Sequence, residues 1–226
     1  MTEMWSPKSE ARARQVWAKL KKTKWLAQYV DASLELPQPY RGKGRIKLIV
    51  LGQDPTVKDV QARRNIHTVL NLDKNRSVTA YLSAICAGLG IRLAENVYAT
   101  NFYKNFFIAP PTQIRDIDVF KEYSPAWLPV LLEELAEFPD LPVIALGEPI
   151  LPSLVLGSEL PRVKHFWGYV PEWKTQKILP FGHLEPAENK LGRAIFPFPQ
   201  QPTLRKEFYT AIMDKYIAYV KAQAFK

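Results

Sequence analysis

Apolar positions fall into two regimes along this chain: short, mostly apolar runs, and longer stretches in which apolar residues recur every three or four positions. The runs at residues 46–51, 96–100, 142–146 and 176–180 are too short for helices and read as parallel strands buried on both faces. Helical spacing fills much of the rest. Residues 8–30, entered at Ser6-Pro7, carry Val16, Leu20, Trp25 and Leu26 among Arg12, Arg14, Lys19, Lys21, Lys22 and Lys24, which gives a helix with a basic outer face. Residues 77–89 start at Ser77 as N-cap and stop near Gly88 and Gly90. Ser124-Pro125 opens a third helix through Phe138, and residues 203–220 form the last, with Phe208, Ile212, Ile217 and Val220 inward. Strand and helix alternate, so the fold expected is a three-layer α/β/α sandwich around a central four-stranded parallel sheet. Residues 36–44 are too rich in Pro and Gly for either element. One domain is therefore expected: residues 1–44 as N-terminal helix and connector, residues 45–226 as the α/β core.

Composition narrows the function classes. At 226 residues and 47% hydrophobic content the chain can bury a core undivided, and its formal charge of +9 biases the surface toward polyanions such as nucleic acid or an anionic membrane. The single cysteine, Cys86, excludes an internal disulfide and any cluster held by four thiolates of this chain. The first seventeen residues are charged and aromatic where a leader would be apolar, and no run reaches membrane-spanning length, so a soluble cytoplasmic protein is the expectation. No Cys/His spacing suits a metal, and no P-loop or dinucleotide fingerprint occurs, so neither metal nor cofactor is expected. Arg41-Gly42-Lys43-Gly44-Arg45 is basic but precedes the first strand, outside the setting of a phosphate cradle.

The chemistry concentrates at residues 48–56, LIVLGQDPT, where an apolar strand delivers Gln53-Asp54 at its carboxyl edge and Pro55 turns the chain away. In open parallel sheets that edge is where ligands bind. Read alone, Asp54 is either an aimed carboxylate or a turn residue in an Asx arrangement. Further pieces follow in order: Gln61-Ala62, Ala99-Thr100-Asn101 with Lys104 and Pro110-Pro111, Leu146-Gly147-Glu148-Pro149, and Pro180-Phe181-Gly182-His183. Together these resemble the uracil-DNA glycosylase superfamily over roughly residues 46–193, as a divergent member without the iron-sulfur cluster.

The resemblance implies a DNA glycosylase that hydrolyses the N-glycosidic bond of a flipped uracil or other deaminated or damaged base. It implies that Asp54 handles water and positive charge, Gln53 and Asn101 bind the base, His67 stacks on it, and His183 donates to the departing base. Cleavage of this bond has oxocarbenium character, which a carboxylate stabilises, and one amide such as Asn101 both donates and accepts. Thr56 stands where the family commonly has a Tyr that excludes thymine, and His67 where Phe is usual. Around His183 the family's His-Pro-Ser is replaced by His183-Leu184-Glu185. Lys104 and Arg193 are expected at the DNA backbone, and Leu191 or Leu184 as the wedge that fills the flipped nucleotide's place. Each has a plainer alternative: a strand-end turn for Asn101, a surface loop for His67, ordinary packing for Leu191. Residues 162–169, basic and aromatic around His165, suit either stacking on bases or a well-anchored loop. The partner expected is DNA, single- or double-stranded, bound by a monomer. Alternatives are a catalytically weak nucleic-acid-binding relative, or hydrolysis of a free nucleoside.

Overall fold

The structure, a computed structural model, describes residues 5–157, 161–172, 175–178 and 180–225. Its centre is a five-stranded mixed sheet in the order β1-β3-β2-β4-β7, from Tyr40–Arg41 (β1), Leu48–Gly52 (β2), Val97–Asn101 (β3), Val143–Leu146 (β4) and Ile195–Phe198 (β7). Strands β3, β2, β4 and β7 run parallel, with Leu51 opposite Thr100 on one side and Ala145 on the other; β1 runs antiparallel to β3. The sheet is thus not the purely parallel four-stranded one expected.

The fourth parallel strand is also not the one expected. Thr175–Ile178 (β6) pairs antiparallel with Tyr169–Glu172 (β5) as a separate hairpin, and the place beside β4 belongs to Ile195–Phe198. Leu179, in the expected strand, and residues 1–4 lie outside the described residues. Pro197 hides β7 from a sequence reading, because proline cannot donate to a ladder. Only one side of β7 pairs with a strand of the sheet, and on the indole side the Pro197 carbonyl accepts from Trp167 Nε1 at 2.8 Å.

Four long helices flank the sheet: Pro7–Lys22 (α1), Ser77–Leu89 (α2), Val119–Leu135 (α3) and Glu207–Ala224 (α4). α1 packs against α3, and α2 against α4, where a Cβ on Gly88 would come within 2.7 Å of Ile217. α1 ends at Lys22, eight residues short of expectation, and a separate turn follows over Lys24–Ala27. Ser77 is the first residue of α2 and not its cap; the cap is Arg76, which makes no side-chain bond. α3 starts at Asp118, whose carboxylate accepts from the Lys121 amide at 3.1 Å, and runs through Pro125 and Pro129. Beside that proline break the Phe120 carbonyl accepts from the hydroxyls of Ser124 and Tyr103. Among the described residues no helix is long and apolar enough to cross a membrane.

Candidate active site

The sheet reverses its build direction at β2. The chain leaves β2 to form β3 on one side and then crosses to β4 on the other, so the loops leaving β2 and β4 diverge and open a crevice. At this edge Gly52-Gln53-Asp54 leave β2 beside Asn101 at the end of β3, while Gly147-Glu148 leave β4 into a separate cleft with Val163, Pro199, Gln200 and Thr203.

Asp54 is half-buried and held by its neighbours. Its Oδ1 accepts from the Thr56 amide at 2.7 Å, an Asx turn, and its Oδ2 accepts from Gln53 Nε2 at 2.7 Å. Burial pushes the carboxyl up from an ordinary 3.8 to about 6, against the pull of Thr56, Gln53 and Arg63. Both readings of Asp54 are therefore present in one geometry: a turn residue, and an acid kept in a poorly solvating place. Arg63 is a supporting residue that sequence reasoning missed. Its buried guanidinium bonds the carbonyls of Val57 at 2.7 Å and of Phe107 and Ile108 at 2.9 Å, which ties the loop after Asp54 to the loop after Asn101. The Thr56 hydroxyl joins the same tie by accepting from the Phe107 amide at 2.8 Å.

Asn101 is completely buried, and neither its Oδ1 nor its Nδ2 has a hydrogen-bond partner. An unsatisfied buried polar group costs about 1–3 kcal/mol, so an amide with both ends unpaired calls for an explanation. Gln53 Oε1 and Asn71 Oδ1 are buried and unpartnered too. These residues lie on segments that meet at Gly52, where a Cβ would fall 2.4 Å from Asn101 Oδ1 and 3.3 Å from Leu70 Cδ2. Leu70 and Asn71 hold positive φ angles of 58° and 53° in the turn Val69–Asn71, which packs on β3. Backbone strain of this kind in non-glycine residues clusters at functional sites. No sequence signal marks Leu70, since leucine rarely takes a left-handed backbone; asparagine takes it more readily, but Asn71 alone does not announce the turn. Gly52→Ala is expected to displace the Asn101 amide: ligand binding falls about ten-fold or more while urea unfolding shifts by only about 1 kcal/mol. Equal loss of both would show Gly52 to be merely structural.

The remaining expected residues go elsewhere. His67 is exposed on a separate cleft with Leu34, Glu35, Gln38 and Arg64 and does not reach Asn101 as a stacking platform; Leu70 takes that neighbourhood. Lys104 is 1% exposed and paired to Glu134, with Thr100 Oγ1 at 2.6 Å, so it meets no phosphate. Leu191 is buried at 6% and Leu184 at 7%, which rules out either as a wedge. Arg193 bonds the carbonyls of Phe138 at 2.7 Å, Leu135 at 3.3 Å and Leu191 at 3.3 Å, capping the end of α3 in place of a phosphate.

His183 is the largest displacement. Its Nδ1 meets the Tyr219 hydroxyl at 2.8 Å, its Nε2 meets Glu185 at 3.1 Å, and its ring stacks on Phe196 at 4.7 Å. Leu184 bridges Ile195, the first residue of β7, so His183 lies beyond the edge strand and toward its amino end. Strand spacing and rise put it roughly 15–20 Å from Asp54. The strand end that the resemblance assigns to His-Pro-Ser is, in the observed topology, Phe198-Pro199-Gln200, which offers no imidazole. His165 is exposed on the turn Val163–Phe166. Among the described residues no group of three His, Cys, Asp or Glu side chains is placed to hold a metal ion. No family model matches the chain, and no curated protein matches it.

Proposed function

We propose that this protein is a DNA glycosylase-like enzyme of the uracil-DNA glycosylase superfamily, hydrolysing the N-glycosidic bond of a damaged or deaminated base flipped into the crevice beside Gly52. The observation that carries this reading is the Asn101 amide, fully buried with a free donor and a free acceptor at the carboxyl end of a strand. A flipped base supplies the complementary edge. Asp54, next to it, stabilises the oxocarbenium charge and orients the water. The sheet forms the middle of a three-layer sandwich, with α1 and α3 on one face and α2 and α4 on the other.

DNA as partner is supported by charge and surface. Lys19, Lys21, Lys22 and Lys24 are exposed along α1 and its end, beside Trp25, which is 51% exposed. Ile108, whose amide donates to the Tyr29 carbonyl at 3.0 Å, continues this surface toward exposed Val57 and Val60 next to the Asp54 loop. Replacing Lys21, Lys22 and Lys24 by Glu is expected to weaken duplex binding at least ten-fold at low salt and to flatten its salt dependence. An unchanged salt slope would take the α1 surface out of the interface.

One observation favours a second reading, a catalytically weak nucleic-acid-binding relative: both Asp54 oxygens already hold bonds within the chain, and Phe102, Tyr103 and Phe106, which follow Asn101, are all buried. The two readings separate in one experiment. Purified protein is incubated with labelled duplex and single-stranded oligonucleotides carrying uracil, hypoxanthine or xanthine, and alkali-labile abasic sites are scored. Abasic sites lost in Asp54→Asn support the enzyme; binding without release of any base, deaminated or alkylated, supports the relative.

A further inference from the structure

Resting on that reading, we infer that the base this site removes is an N-alkylated purine, which carries a positive ring charge and an amino group, and not a deaminated base. Two independent observations lead there.

The first is the hydrogen-bond inventory. Gln53 Nε2 faces the Asp54 carboxylate, so its amide cannot turn over and Oε1 stays an acceptor. Asn101 adds one acceptor and one donor group whichever way its amide lies, and Asn71 presents its Oδ1 from the adjoining turn. The unpaired atoms thus comprise three oxygens against a single nitrogen. A base that satisfies them brings more donors than acceptors. Deamination works in the opposite direction, because it exchanges an amino group for a carbonyl: uracil presents one N–H between two carbonyls. Guanine presents N1–H and its amino group against one carbonyl, and adenine keeps its amino group. An oxygen-rich, partly desolvated lining beside a carboxylate also favours a cationic ring.

The second observation is what stands at the leaving group. A departing neutral base such as uracil leaves as an anion, and its carbonyl oxygen is best served by an imidazole donor in addition to the Asn101 amide that reads the base edge. The chain's three histidines are His67, His165 and His183, and all lie away from Asn101: two exposed on other surfaces, one beyond β7. An N7-alkylated purine needs no such donor. When its C1′–N9 bond breaks, the electron pair stays on N9 and neutralises the ring, so the base departs as a neutral molecule. A water oxygen then forms the bond to C1′, its proton passes to the Asp54 carboxylate and on to solvent, and the products are the free alkylpurine and an abasic sugar. One carboxylate is sufficient for every step.

The test compares duplexes carrying a single N7-methylguanine, uracil or hypoxanthine at the same position. Each is incubated with the full chain, and the released base is quantified by mass spectrometry above its spontaneous release. The expected result is a kcat/KM for N7-methylguanine at least ten-fold above that for uracil. Asn71→Leu, with an unchanged circular dichroism spectrum, is expected to narrow that ratio about ten-fold by removing one acceptor. Faster release of uracil or hypoxanthine overturns the inference and leaves the glycosylase reading standing. Release of none of the three overturns the glycosylase reading itself. A ratio unmoved by Asn71→Leu overturns the acceptor argument.

Discussion

Asp54→Asn is expected to lower kcat/KM for base release by about 10³-fold or more and, at the same time, to make the protein more stable at neutral pH. The first effect follows from losing the carboxylate that faces the developing positive charge, a contribution of about 10²–10⁴ where one positioned group carries it. The second follows from linkage. Burial raises the folded-state value from 3.8 to about 6, so between those values the folded chain binds more protons than the unfolded chain. Stability therefore falls as pH rises through that window, and above pH 6 the ionised group costs up to about 3 kcal/mol. Asparagine keeps an acceptor for the Thr56 amide and carries no charge, so unfolding in urea at pH 7 should show a gain of about 1–3 kcal/mol that shrinks toward zero near pH 4. Activity of the unaltered protein should rise with pH through a midpoint near 6, since the ionised form is the working one. A merely structural Asx turn at the same buried place would give the stability gain without the activity loss, because asparagine makes that turn equally well and burial alone raises the carboxyl.

How far the chain could be read from sequence depends on which interactions set each element. β2 and its Gln53-Asp54 edge were legible because an unbroken apolar run ending in Gly and Pro has few other uses. The expected strand at residues 96–100 and that at 142–146 each match an observed strand to within a residue for the same reason. β7 was not legible: Pro197 and Pro199 read as punctuation, and only its edge position tolerates them. That one omission moved the expected fourth strand to residues 176–180 and carried the expected His-Pro-Ser position to His183. Asn101 was legible as a strand-end amide, but its unpaired state was not, since that depends on Gly52, Leu70 and Asn71 arriving from other segments. Lys104 looked like a surface cation because nothing local shows its partner. The signal lay elsewhere: Glu134 shares the inward stripe of α3 with Trp127, Val130 and Leu131, and an acid on such a stripe calls for a buried donor.

That buried acid gives the largest stability effect expected of a single substitution here. Glu134 is 1% exposed and accepts from Trp5 Nε1 at 2.9 Å, from the Tyr98 hydroxyl at 2.7 Å and from Lys104 Nζ, joining the start of α1, the centre of β3 and the loop beyond it to α3. Glu134→Leu leaves an ammonium buried without a counter-charge and two donors without an acceptor, which should cost about 3–5 kcal/mol. For a domain of this size that lowers the melting temperature by roughly 10–15 °C. Burial already lowers the Lys104 ammonium below its ordinary value, and Glu134 is what raises it again. Without Glu134 the folded state sheds that proton more readily than the unfolded chain, so the loss in Glu134→Leu should diminish as pH rises toward 10. Lys104→Met should also destabilise but lack that recovery. The double variant Lys104→Met/Glu134→Leu removes both charges together and should regain most of the loss, because a well-packed apolar pair can replace a buried ion pair at little cost. Urea unfolding of the four proteins at pH 7 and pH 9.5 decides it. Additive losses in the double variant would mean that the Trp5 and Tyr98 bonds, and not the ion pair, dominate this corner of the core.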